Sequence, residues 1–134
     1  MGQLHPNFGV VRELGLTYLA AGQVDEAERN LFAVVEHAAS QNAHEEMDPL
    51  AAVPLAKIYE SKGAPDKAAN LFRHLAVGHD VANHFAYNLE SARLLHASSA
   101  EKQLVQRYLD RAEELGKSEA EKAAFAQLRD ALGA

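Results

Sequence analysis

The sequence predicts an all-α protein. Three observations carry this. Alanine is abundant, while proline (four residues) and β-branched residues are sparse, a balance that favours helix. Apolar residues recur at three- and four-residue steps. Glycine and proline punctuate the chain where helices would stop and start. No stretch of useful length alternates with a period of two, so no sheet is expected.

Seven helices follow in order. The first covers about 6–21 and stops at Gly22, a residue suited to a left-handed end. The second starts near Val24, with Asp25, Glu26 and Glu28 in its early turns, where the positive helix end favours acids. Its apolar stripe is Val24, Ala27, Leu31, Val34, Val35 and Ala38. The third follows Asp48-Pro49, an N-cap and first-turn proline, and runs to Lys62 before Gly63. Pro54 inside it predicts a kink or a late start. The fourth begins at Pro65, turns Ala68, Phe72 and Leu75 inward, and breaks at 76–80. The fifth covers about 81–96. The sixth, 100–115, puts Leu104, Tyr108, Ala112 and Leu115 on one face and ends at Gly116. The seventh opens with Ser118 and Glu121, a capping-box pair, and runs to about Leu132.

The 134 residues suffice for one domain, 1–134, with a real core. A formal charge of −6 and a pI near 5.6 argue against a nucleic-acid backbone or an anionic membrane surface as partner. No apolar run approaches the ~20 residues that span a bilayer, so no membrane insertion is expected. The start, "MGQLHPNFG", lacks a basic segment and an apolar segment, so no signal peptide is expected. Gly2 also lacks the Ser or Thr that myristoylation prefers. With no cysteine there is no disulfide, thiolate ligand or thiol nucleophile. That fits a reducing compartment, and the expected location is cytoplasmic.

The chain carries no glycine-rich phosphate loop, nucleophile elbow or paired carboxylates in an apolar setting. Hence no enzyme activity, no catalytic residue and no cofactor is expected. Histidine is frequent, with seven copies. His74, His79 and His84 recur every five residues, but that is not ligand spacing on one helix and no carboxylate completes the set. "HEEMD", 44–48, matches HExxH only in its first two letters. No metal site is therefore expected. Ser98-Ser99 serve as a turn and cap, and the charged stretch 110–122 as two solvated helix ends.

The halves of the chain repeat. Leu14-Gly15, Tyr18, Gly22, Ala27, Leu31 and Val34 match Leu55-Ala56, Tyr59, Gly63, Ala68, Phe72 and Leu75, each 41 residues on. A small residue at Gly15 or Ala56 lets two antiparallel helices approach, and the tyrosine fills the space beside it. This pattern resembles the tetratricopeptide repeat (TPR). Repeat 1 covers about 8–46 and repeat 2 about 49–79. A degenerate third, about 81–116, aligns Ala92, Leu95 and Tyr108 with the small, large and aromatic positions, with Ser99 in place of the turn glycine. The offset exceeds the usual 34 by about two helical turns, which predicts longer second and third helices. Such length resembles the kinesin light chain type, as does "HPN" at 5–7. The seventh helix, 118–133, is expected to cap the stack. Ala120, Ala124, Leu128 and Leu132 would cover the last hairpin, and Glu119, Glu121, Lys122 and Arg129 would face water.

The resemblance implies a right-handed superhelix of about three helix pairs plus the cap, whose first helices line a concave groove. It implies a non-catalytic protein–protein interaction module, an adaptor or scaffold for a protein or peptide partner. The groove residues would be Arg12, Glu13, Leu16 and Leu19, then Val53, Lys57 and Glu60, then Leu89, Glu90, Arg93 and His96. Two readings of this wall stay open. Its arginines and lysine pair with its own glutamates, or its alternating charges and four apolar anchors grip a peptide. TPR domains that hold the carboxylate tail of heat-shock chaperones need two asparagines at places filled here by Leu16 and Pro54. The resemblance does not extend to that clamp. The alternatives to an adaptor are a homo-oligomerising assembly module and a regulatory domain of a larger enzyme or sensor.

Overall fold

A computed structural model describes residues 7–133. It holds seven α-helices: α1 (Phe8–Ala20), α2 (Val24–Ser40), α3 (Pro49–Ser61), α4 (Pro65–Leu75), α5 (His84–Ala97), α6 (Lys102–Leu115) and α7 (Glu119–Leu132). Short 3₁₀ turns at His44–Glu46 and Val81–Asn83 precede α3 and α5. The fold is 80% helical, with no strand among the described residues. The expected start at Pro6, and His5 and Pro6 of the "HPN" stretch, lie outside them.

Local chemistry sets the helix ends. The Asn7 side chain accepts from the Val10 N–H at 3.2 Å and caps α1. Asp48 does the same for α3 through the Leu50 N–H at 3.0 Å, with Pro49 next in line. Ser118 and Glu121 form both halves of a capping box on α7. Each of the first three helix pairs closes with one turn geometry. Gly22, Gly63 and Ser99 all have positive φ, at 79°, 77° and 63°. The N–H of the next residue, Gln23, Ala64 or Ala100, donates to the carbonyl of Tyr18, Tyr59 or Leu95, each at 2.9 Å. The third turn therefore forms without glycine.

Each helix packs on the next in chain order from α1 to α6, and α7 lies against both α5 and α6. The contacts are built on small residues. Gly15, Ala27, Ala51, Ala52, Ala56, Ala68, Ala92 and Ala112 are all buried, so backbones approach closely while Leu31, Leu55, Leu94 and Leu109 fill the space between. A Cβ at Gly15 would lie 3.0 Å from Leu31 and 3.2 Å from Asn30. The few buried polar side chains are satisfied: Asn88 donates to the His84 carbonyl and Ser91 to that of Tyr87.

Three expectations need correcting. The start of α3 is not one of them: it begins at Pro49, as Asp48-Pro49 signals, and of the two outcomes expected of Pro54 the late start does not occur. Buried Ala51, Ala52, Leu55 and Ala56 hold it on both sides of the proline, which outweighs one lost helical hydrogen bond. The extra repeat length does not enter the third helix. α1 and α3 both have 13 residues, whereas α2 has 17 against 11 in α4. α5 begins at His84, three residues late, because Val81–Asn83 forms a 3₁₀ turn. In the capping helix Phe125 is the buried residue, and Ala120 is exposed. Glu121 is drawn into the capping box, and Arg129 lies over the Phe125 ring at 5.6 Å.

Candidate functional site

Most of the expected groove residues of α1, α3 and α5 fall into three separate groups. The first sits between α1 and α3. Leu19, Val53 and Lys57 line a cavity of about 390 Å³ together with Val24, Pro54, Ile58 and Ser61. Its wall is almost wholly hydrocarbon. Among the described residues Lys57 has no carboxylate within ion-pair distance, so a cation stands at the edge of an apolar hollow.

The second group joins the N-terminal ends of α1 and α3. Arg12 Nη1 donates to Asp48 Oδ2 at 2.8 Å, and Arg12 Nε lies 3.4 Å from Glu13 Oε1. The hydrogen bond to Asp48 is the main reason the Arg12 guanidinium is held above its usual value. The third group joins α3 to α5. Arg93 spans Glu60 Oε2 at 2.6 Å and Glu90 Oε2 at 2.6 Å. Hydrogen bonding to Glu60 and Glu90 raises the Arg93 guanidinium, and the same bond holds the Glu60 carboxyl below its ordinary range. These five charged side chains are thus largely neutralised by one another or by Asp48.

Leu16 and Leu89 are half-buried against the core. His96 stands apart. It lines a different depression, of about 410 Å³, with Ala100, Val105, Leu109 and Leu132 where α7 ends.

Sequence reasoning missed two features. Asp48 is both the cap of α3 and the partner of Arg12; its place before Pro49 signals the cap but not the partner 36 residues away. A histidine pair also escaped notice. His44 Nδ1 and His74 Nδ1 lie 2.7 Å apart, and one ring must donate while the other accepts. His79 Nδ1 meets the Glu45 carbonyl at 2.8 Å and His84 Nε2 the Gly78 carbonyl at 2.9 Å. Burial first, then His44 and Arg73, lower the His74 pKa. The histidines hold connections together. Among the described residues no three His, Asp or Glu side chains gather as a metal would need.

A larger depression, about 980 Å³, lies elsewhere, between the end of α4, α5 and α6. Exposed Gln103, Gln106, Arg107, Asp110, Arg111 and Glu114 form much of its lining. Its volume is larger, but its exposed side chains are of mixed charge and converge on no single chemistry. The α1–α3 hollow combines apolar walls with one cation, which makes it the better candidate for recognition. No helix among the described residues is long and apolar enough to cross a membrane. Comparison with protein-family models, with curated proteins and with solved structures gives no match to this chain.

Proposed function

We propose that the chain is a TPR-like right-handed superhelical module that binds an extended or helical segment of a partner protein along the face of α1, α3 and α5, without catalysis. The carrying observation is the apolar hollow shared by Leu19, Val53 and Lys57. Three residues that the TPR resemblance assigns to the groove converge there. The three identical helix-pair turns support the repeat reading. The partner segment seats an apolar side chain against Leu19 and Val53 and an acidic group beside Lys57. Arg12, Arg93, Glu13, Glu60 and Glu90 act chiefly as a self-paired wall that fixes the spacing of the helices.

A short segment buries little area and loses its own freedom on binding, so micromolar affinity, about −8 kcal/mol, is expected. The test is a capture comparison from the native lysate with two folded, soluble variants. One carries Val53→Glu and Lys57→Glu in the hollow. The other carries Lys67→Glu and Arg107→Glu on the exposed second helices. Loss of a captured partner in the first alone is the expected result. Equal loss in both, or loss in the second alone, would remove the groove from consideration. The cytoplasm, with its reduced thiols and abundant partner proteins, is the compartment that suits this reading.

A further inference from the structure

The repeat shows what the outer side of α1 is built to meet. Val10, Ala51 and Tyr87 occupy one equivalent place in α1, α3 and α5, and Leu14, Leu55 and Ser91 another. Ala51 and Leu55 are 0% exposed, because α2 packs on α3. Tyr87 and Ser91 are 6% and 0% exposed, because α4 packs on α5. Val10 and Leu14 are 62% and 45% exposed. They belong to a stripe of uncharged, exposed residues, Asn7, Val10, Leu14, Thr17 and Ala21, spaced by three, four, three and four. That spacing is the seam of a two-helix pairing. On the helix it lies opposite Arg12, Leu16 and Leu19, so it is separate from the proposed groove.

We infer that this face pairs with the same face of a second copy, α1 against α1 in antiparallel orientation about a two-fold axis. The stripe complements itself. Val10 of one copy meets Leu14 of the other, twice, at the centre, and Asn7 meets Thr17 at each end, so no charge is buried along the seam. Against α7 the stripe would meet exposed Glu119, Lys122, Gln127 and Asp130, a charged surface that matches it less well than its own copy. Glu13 flanks the stripe with its side chain largely exposed, and the two-fold axis brings it near its own copy. Their repulsion weakens the pairing and makes it reversible.

The test uses the full chain. Sedimentation across a wide concentration series should show the mass rising from monomer towards dimer. Leu14→Glu should remain monomeric with an unchanged helical spectrum, and Val81→Glu, equally apolar and exposed in the parent chain, should dimerise as before. Glu13→Gln should tighten the dimer several-fold. The chain has no cysteine of its own, so mild oxidation of a mixture of Val10→Cys and Leu14→Cys chains gives an unambiguous reading of register. Disulfide-linked product should be far more abundant in the mixture than with either variant alone. A wild-type chain monomeric throughout, a Leu14→Glu dimer, or cross-linking no better in the mixture would overturn the inference. Val53→Glu leaves the α1 stripe intact, so loss of groove binding and loss of dimerisation are separable.

Discussion

Gly15 and Ser99 show how single positions set the helix pairs. Any side chain at Gly15 must displace Leu31, so Gly15→Leu should cost roughly 1–3 kcal/mol or more by overpacking, seen as a lower urea midpoint. Ser99 holds a left-handed conformation at φ 63° that glycine adopts without penalty. Ser99→Gly should therefore stabilise the chain, by up to ~1 kcal/mol, in the same experiment. His74 gives the pH dependence. Its pKa is lowered in the folded chain, so the unfolded chain binds that proton more readily. The contribution is fully present above about pH 6.5, the unfolded value, and is lost as pH falls towards the lower folded one. Thermal melts should fall between neutral pH and about 5, and His74→Gln should flatten that slope. Asp80 is lowered too, chiefly by its bond from Tyr87, but it acts in the carboxylate range below this window.

The helices and their order follow from signals a sequence carries openly. Gly22 and Gly63 mark turns, Asp48-Pro49 and Ser118–Glu121 mark starts, and the α2 stripe from Ala27 to Ala38 is the buried face. What stayed hidden depends on neighbours distant in sequence. Pro54 signals a break, yet packing on both sides carries α3 through it. Phe125 is the one aromatic side chain of α7, a local signal for burial that the alanine–leucine stripe obscured, and α7 packs on α5 and α6. For the candidate groove residues, the pairings cannot be read from the sequence. Arg12 with Asp48, and Arg93 with Glu60, join residues 36 and 33 apart. Within α7, Ser118→Ala should cost about 1 kcal/mol by removing the cap. Amide exchange should then speed up in the first turn of α7 while α3 and α4 are unchanged.

Taken together, the seven helices form a serial stack whose depressions and two ends differ. The apolar hollow beside Lys57 lies between α1 and α3, and the wider depression of mixed charge lies between the end of α4, α5 and α6. At one end α7 lies against α5 and α6, and at the other Val10 and Leu14 of α1 are exposed. Arg12 and Arg93 are paired internally, so the proposed reading gives recognition to Leu19, Val53 and Lys57 rather than to the whole charged wall. Because one cation near solvent does the steering, added salt should slow association of a partner more than it speeds dissociation. The most direct measurement is amide hydrogen exchange of the chain with and without its captured partner. The account predicts new protection in α1 over 16–20 and in α3 over 53–61. Protection confined to α4 and α6, around Tyr108 and Arg111, would contradict it.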